Sequence, residues 1–112
     1  MTHTIKPFIC LNDYEYMDNY STGFHSHGAP KFNIKYIRVG YPIVDWTENT
    51  YKVFTAEDGQ TEVTIGELLH RINDNVVAEL NKGNNFAPHD AEDYCIERID
   101  ILDNMATVQF GS

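Results

Sequence analysis

Residues 64–83 contain the start, the body and the stop of one long amphipathic helix. Thr64 followed by Glu67 matches a capping box, in which the hydroxyl accepts a hydrogen bond from the third helical amide and the carboxylate reaches back to the cap amide. Gly83 suits the left-handed backbone position that commonly follows a helix. These signals predict a helix over about 65–82.

The body of this helix has one apolar side. Apolar residues recur every three or four positions, the period of an α-helix, and this spacing predicts a stripe buried against another layer. The stripe consists of Ile65, Leu68, Leu69, Ile72, Val76, Val77 and Leu80. The polar residues off the stripe are expected to face water, and they are Glu67, His70, Arg71, Asp74, Asn75 and Glu79.

The chain before the helix divides into two parts. Residues 1–30 are rich in turn-forming residues and tyrosine, and an irregular segment is predicted there. Residues 32–39 and 50–56 alternate between the two faces of a strand. Asp58-Gly59 is a strong hairpin signal, so the second strand is expected to return through residues 61–63.

After the helix, residues 94–102 and 105–110 predict a hairpin across Asp103-Asn104, two residue types that tolerate a positive φ. The order of elements predicts an α+β fold, an antiparallel sheet of about five strands with one long helix packed on one face. One domain of 112 residues is expected. Its parts are an irregular segment at 1–30, strands and a hairpin at 31–63, the helix at 64–83 and a C-terminal hairpin at 94–110.

The charge of the chain is strongly acidic and unevenly spread. The net charge is −9, from 17 acidic and 8 basic side chains. Residues 31–56 carry +2, whereas residues 57–88 carry −4 and residues 89–112 carry −5. This field repels phosphates, so direct binding to nucleic acid is disfavoured and a basic protein partner is favoured. The alternative is that the acidic surface only keeps the protein soluble.

The sequence also bears on location and on the cysteines. No apolar run approaches the roughly 20 residues of a membrane-spanning helix, and residues 1–7 lack the apolar core of a secretory signal. We therefore expect a cytoplasmic protein that does not interact with membranes. In a reducing compartment Cys10 and Cys95 are expected to be two thiols, and the alternative is a disulfide if the first and last strands are neighbours.

Histidines offer one candidate for metal chemistry. His25 and His27 share a face if the chain is extended there, so both imidazoles could bind one divalent ion. A third ligand could come from His89 or from the carboxylates of Asp90, Glu92 and Asp93. Polar loop histidines are the simpler interpretation. No glycine-rich phosphate loop, nucleophile signature or cofactor motif is present, so the sequence predicts no cofactor and favours a binding protein over an enzyme.

The strongest binding signal is a tyrosine-rich stretch, which contains Tyr14, Tyr16 and Tyr20 interleaved with acids. Tyrosines are enriched at interface hot spots because they bury a large area and keep a polar tip. The sequence predicts a small module that inhibits or regulates a basic, nucleic-acid-handling partner, as phage anti-defence and immunity proteins do. The expected contacts are these tyrosines with Asp90, Glu92 and Asp93. The alternative is a small-molecule or divalent-metal binding domain, or an enzyme, that uses His25, His27 and His89.

Overall fold

The fold is known from a computed structural model, which describes residues 2–22, 31–43, 51–56, 59–85 and 89–111. The described strands are β1 (His3–Ile5), β2 (Ile9–Cys10), β3 (Phe32–Asn33), β4 (Tyr36–Val39), β5 (Lys52–Thr55), β6 (Glu62–Val63), β7 (Cys95–Leu102) and β8 (Met105–Gly111). The helices are α1 (Tyr14–Thr22), α2 (Ile65–Asn81) and a 3₁₀ helix at Ala91–Asp93. The predicted α+β class is confirmed.

The main sheet has six strands in the order β1-β7-β8-β4-β5, and β2 extends the β1 edge by pairing with β7. The prediction of a purely antiparallel sheet is wrong, because β4 runs parallel to β8 through the register Tyr36↔Met105 to Val39↔Val108. Parallel neighbours need a long crossover. Here the connection from β4 to β8 includes β5, β6, α2 and β7.

The long helix begins and ends as the sequence predicts. The amide of Glu67 donates to Thr64 Oγ1 at 3.2 Å, and the amide of Thr64 donates to Glu67 Oε1 at 3.1 Å. The bond from the Thr64 backbone lowers the pKa of Glu67, and this outweighs the opposing effect of burial. Gly83 has a φ of +91°, the left-handed conformation expected after the helix.

The core lies between α2 and one face of the main sheet. Leu69, Ile72 and Val76 of α2 are fully buried. The predicted C-terminal hairpin is confirmed, with Ile99 opposite Val108 and both side chains buried in the same cluster. Asp103 at its turn has the expected positive φ. The sequence therefore predicts both sides of the core correctly.

The predicted hairpin between residues 50–56 and 61–63 is wrong. Strand β5 pairs with β4, whereas β6 forms a separate two-stranded sheet with β3. The predicted strand 32–39 is divided at residues 34–35, where Lys35 and Tyr36 donate their amides to the Asn104 carbonyl. This break sends β3 and β4 into different sheets. Asp58 lies outside the described residues.

The N-terminal segment is not irregular as predicted. It forms β1, β2 and α1. Tyr, Asn, Asp, Ser and Thr are weak helix formers, so α1 depends on tertiary packing, which is supplied by the complete burial of Met17 beside α2. Asp13 assists at the start of α1 by accepting the Tyr16 amide at 3.5 Å. Residues 23–30 lie outside the described part.

Glu79 was expected to face water, and that prediction is wrong. Its side chain is 4% exposed and accepts hydrogen bonds from Lys52 Nζ at 2.5 Å and Asn84 Nδ2 at 2.7 Å. Burial by itself raises the pKa of Glu79, but these bonds and the Lys82 charge together bring it below its ordinary value. Glu79 therefore stays ionised although it is buried, and its ion pair with Lys52 connects α2 to β5.

Removing core volume under α2 should cost much of the folding free energy. We expect Ile72→Ala to lower the free energy of unfolding by about 2–5 kcal/mol, because the buried side chain leaves a cavity. Urea unfolding followed by circular dichroism measures this. Val53→Ala, at an exposed position of β5, should change the same quantity by less than about 0.5 kcal/mol. An equal effect of both substitutions would contradict the described packing.

The Lys52–Glu79 pair should make stability depend on pH. Since the folded pKa of Glu79 is lowered, the pair stabilises the protein above the unfolded-state pKa of about 4.3, and this contribution is lost as the pH falls through the folded pKa. We expect Lys52→Met to cost about 1.5–3 kcal/mol at pH 7 and less below pH 4. Urea unfolding at several pH values tests this, with Lys35→Met at an exposed position as the matched charge control.

Candidate functional site

A buried amide in α2 organises the N-terminal segment. Asn73 is 0% exposed, and its Oδ1 accepts the backbone amide of Asn12 at 2.6 Å. Its Nδ2 donates to Tyr14 Oη at 3.2 Å and to Asn12 Oδ1 at 3.4 Å. Asn12 has a φ of +66°, a conformation that Asn tolerates better than most residues. Asn73 thus fixes the turn between β2 and α1.

The same turn reaches the acidic C-terminal part of the chain. Tyr14 Oη donates to Asn12 Oδ1 at 3.3 Å, and Asn12 Nδ2 donates to Glu92 Oε1 at 3.3 Å. Asp90 and Asp93 lie at the two ends of the 3₁₀ turn that carries Glu92, and the Asp90 amide donates to Asp93 Oδ2 at 3.2 Å. The structure therefore connects Tyr14 to Glu92, one of the three acids predicted for the site, and the other two flank Glu92 in the chain.

We call this region the acidic aromatic surface. It combines the exposed side of α1 and the turn before it with the 3₁₀ helix at Ala91–Asp93. The side chains that define it are Asp13, Tyr14, Glu15, Tyr16, Asp18, Asp90, Glu92 and Asp93.

Tyr14 has a structural role as well as an exposed edge. Its ring stacks on His70 of α2, with centroids 5.8 Å apart and planes 16° apart, while 47% of the residue stays exposed. His70 Nε2 lies 2.7 Å from Asp18 Oδ1 of α1. These contacts hold α1 against α2, so Tyr14 presents its remaining surface from a fixed position.

The other two tyrosines are placed differently. Tyr16 is 60% exposed and, at 100° per residue, lies about 200° around α1 from Tyr14. It therefore points away from α2 and does not join the hydrogen-bond network. The side chain of Tyr20 lies outside the described residues. Of the three predicted tyrosines, Tyr14 is therefore packed on α2 and Tyr16 faces solvent.

The predicted metal site is only partly within the described residues. His89 Nδ1 lies 4.0 Å from Asp93 Oδ2, and its ring meets that of Tyr94 edge-on at 5.9 Å. His25 and His27 lie in residues 23–30, outside the described part. Among the residues that are described, no group of three or more His, Cys, Asp or Glu side chains could hold a metal ion.

Two open grooves lie elsewhere on the protein. One of about 270 Å³ runs between α2 and strands β4 and β5 and is bordered by Arg71 and Asp74. The other, of about 430 Å³, lies on the sheet face opposite α2, where the guanidinium carbon of Arg38 stands 3.8 Å from the ring centroid of Tyr51. Neither groove is lined by His89 or by the acidic aromatic surface.

Sequence reasoning missed the two residues that build the site, Asn12 and Asn73. Asn12 is a turn-forming residue type, which accounts for its backbone conformation but not for its side-chain bonds. Asn73 carried a usable signal, since it follows Leu69 by four positions and precedes Val76 by three and so falls on the apolar stripe. A polar residue on a buried stripe must find partners, which indicates a specific contact.

Comparison with family models, curated proteins and solved structures finds no match to this chain. Within the described residues, no helix is long and apolar enough to cross a membrane.

The Asn73 network should be measurable as coupled stability. We expect Asn73→Ala to cost about 1–3 kcal/mol, because it leaves the Asn12 amide without its acceptor. Tyr14→Phe should cost less, and the double variant should show a coupling of about 0.5–1.5 kcal/mol in urea unfolding. Asn75→Ala, on the same helix but outside the network, is the control. Strict additivity of the Asn73 and Tyr14 changes would contradict the contact.

Proposed function

We propose that this protein is a small acidic interaction module that inhibits or regulates a basic, nucleic-acid-handling protein. The observation that carries the proposal is the hydrogen-bonded link from Tyr14 through Asn12 to Glu92. It connects an exposed aromatic side chain to the Glu92 carboxylate, and Asp90 and Asp93 flank Glu92 in the chain. The predicted phage anti-defence or immunity-protein type belongs to this proposal.

The charge of the surface is uniform in sign. The eight side chains that define it include six carboxylates and no Lys or Arg. Asp90, Glu92 and Asp93 are all exposed. Carboxylates concentrated without compensating cations attract a basic surface and speed its association. Proteins that bind nucleic acid present such basic surfaces to phosphates, so this module would compete for the same face.

The aromatic content of the surface supports an interface rather than a simple solvated patch. Six large hydrophobic residues in the described part are exposed, and two of them, Tyr14 and Tyr16, belong to this surface. Tyr14 is held by Asn73 and His70 before any partner arrives. Less side-chain entropy is therefore lost when it is buried on binding.

The second candidate function is binding of a small molecule or a divalent metal through His25, His27 and His89. The observation that favours it is the 4.0 Å approach of His89 to Asp93, which puts two ligand types side by side. Uptake of Zn²⁺ by purified protein, lost in His25→Ala and retained in His3→Ala, would support this function. It would not conflict with a docking role for the exposed tyrosines.

The interaction proposal is tested by removing charge at the surface. The site variant is Asp90→Asn, Glu92→Gln, Asp93→Asn, and the matched control is Glu62→Gln, Glu97→Gln, Asp103→Asn, which changes net charge equally at exposed positions elsewhere. Each immobilised protein captures partners from lysate of the encoding cell at about 50 mM and about 500 mM NaCl. We expect one stoichiometric basic protein that the site variant loses and the control retains.

Purified partner then allows a kinetic measurement. We expect the site variant to slow association by about tenfold at low salt and to alter dissociation much less, because long-range attraction acts on the encounter. Tyr16→Ala should instead speed dissociation, since it removes buried contact area. If both charge variants bind with unchanged rates, or if no basic protein is captured at either salt concentration, the proposal is wrong.

A further inference from the structure

The only two cysteines of the chain face each other across neighbouring strands. Cys10 of β2 is the register partner of Cys95 of β7, although 85 positions separate them in sequence. The strands that carry the two cysteines are β2 and β7, not the first and last strands, and they are neighbours, as a disulfide between the cysteines requires. Both residues are half-buried thiols.

The backbone hydrogen bonds identify the type of pair that the cysteines form. The amide of Leu11 donates to the Tyr94 carbonyl at 2.9 Å, so residues 11 and 94 form a hydrogen-bonded pair. In an antiparallel ladder the next pair along, Cys10 and Cys95, is then non-hydrogen-bonded, with Cα atoms about 4.5 Å apart. That separation falls inside the range of about 4.4–6.8 Å that disulfides span.

The environment keeps the Cys95 thiol protonated at neutral pH. A hydrogen bond with Cys10, burial and the negative charge of Glu97 raise the pKa of the Cys95 thiol to about 11. The register pairing of their residues places the two thiols opposite each other on neighbouring strands. Since the thiolate is the reacting form, oxidation should be slow at neutral pH and faster at alkaline pH.

We propose that Cys10 and Cys95 form a reversible intramolecular disulfide, closed by a small disulfide oxidant of the glutathione class. Cys10 thiolate attacks one sulfur of glutathione disulfide, which forms a mixed disulfide and releases one glutathione thiolate. Cys95, once deprotonated, attacks the Cys10 sulfur and releases the second. The protein loses two protons and two electrons, and the oxidant becomes two molecules of reduced glutathione.

The disulfide would join two segments that meet at the acidic aromatic surface. Cys10 is two residues before Asn12, and Cys95 is two residues after Asp93. A disulfide between residues 85 positions apart closes a long loop. It lowers the conformational entropy of the unfolded chain, and this stabilising effect grows with loop length. The oxidised protein should therefore be more stable. This site is independent of the proposed partner binding, which concerns side chains outside the pair.

The experiment treats reduced full-length protein with glutathione disulfide at pH 7.5 and 8.5 and then alkylates the remaining thiols. We expect a monomer that is lighter by about two hydrogen atoms, is not alkylated and yields a Cys10–Cys95 cross-linked peptide. The rate should rise by about tenfold between the two pH values. The melting temperature should rise by on the order of 10 °C and return after reduction.

Two single variants serve as matched controls. Cys10→Ser and Cys95→Ser each keep one thiol, so each should accumulate a lasting mixed disulfide with glutathione and show no comparable stabilisation. Persistent glutathione on both cysteines of the unsubstituted protein would overturn the proposal, as would cross-linked dimers. Absence of reaction at pH 8.5, under conditions in which the urea-unfolded chain does react, would also overturn it.

Discussion

Burial of one face of α2 against the sheet is the constraint on which the other contacts depend. That face carries two polar side chains, Asn73 and Glu79, and both must find partners away from water. Asn73 accepts the Asn12 amide in the turn before α1. Glu79 accepts hydrogen bonds from Lys52 of β5 and from Asn84. In the described part, no buried side-chain polar atom lacks a partner. One helix therefore positions the N-terminal segment on one side and β5 on the other.

The features that sequence predicted correctly are those fixed by neighbouring residues. The capping box, the stop at Gly83 and the turn at Asp103 each involve contacts within a few positions. Strand pairing depends on contacts between residues that are distant in sequence. For that reason the parallel pairing of β4 with β8 and the separation of β6 from β5 were not predicted. Helix α1 shows the same limit, since its residues are weak helix formers and its stability comes from Met17 and α2.

The candidate site divides in a similar way. The acids at positions 90–93 could be chosen from sequence because a charged loop faces water wherever it lies. Their proximity to Tyr14 could not, since it depends on Asn12 reaching across 80 positions to Glu92. Tyr14 also shows that packing and binding roles can belong to one residue, because the ring that stacks on His70 still exposes nearly half of its surface.

The position of β8 in the sheet has a consequence for synthesis of the protein. This strand comes last in the order of described elements yet lies between β7 and β4. Until residues 105–111 have left the ribosome, the β4–β5 ribbon has no neighbour on one side, and its backbone amides and carbonyls are open to other chains. The nascent protein therefore has to keep this sheet edge from pairing wrongly until β8 has been made and can pair with β4.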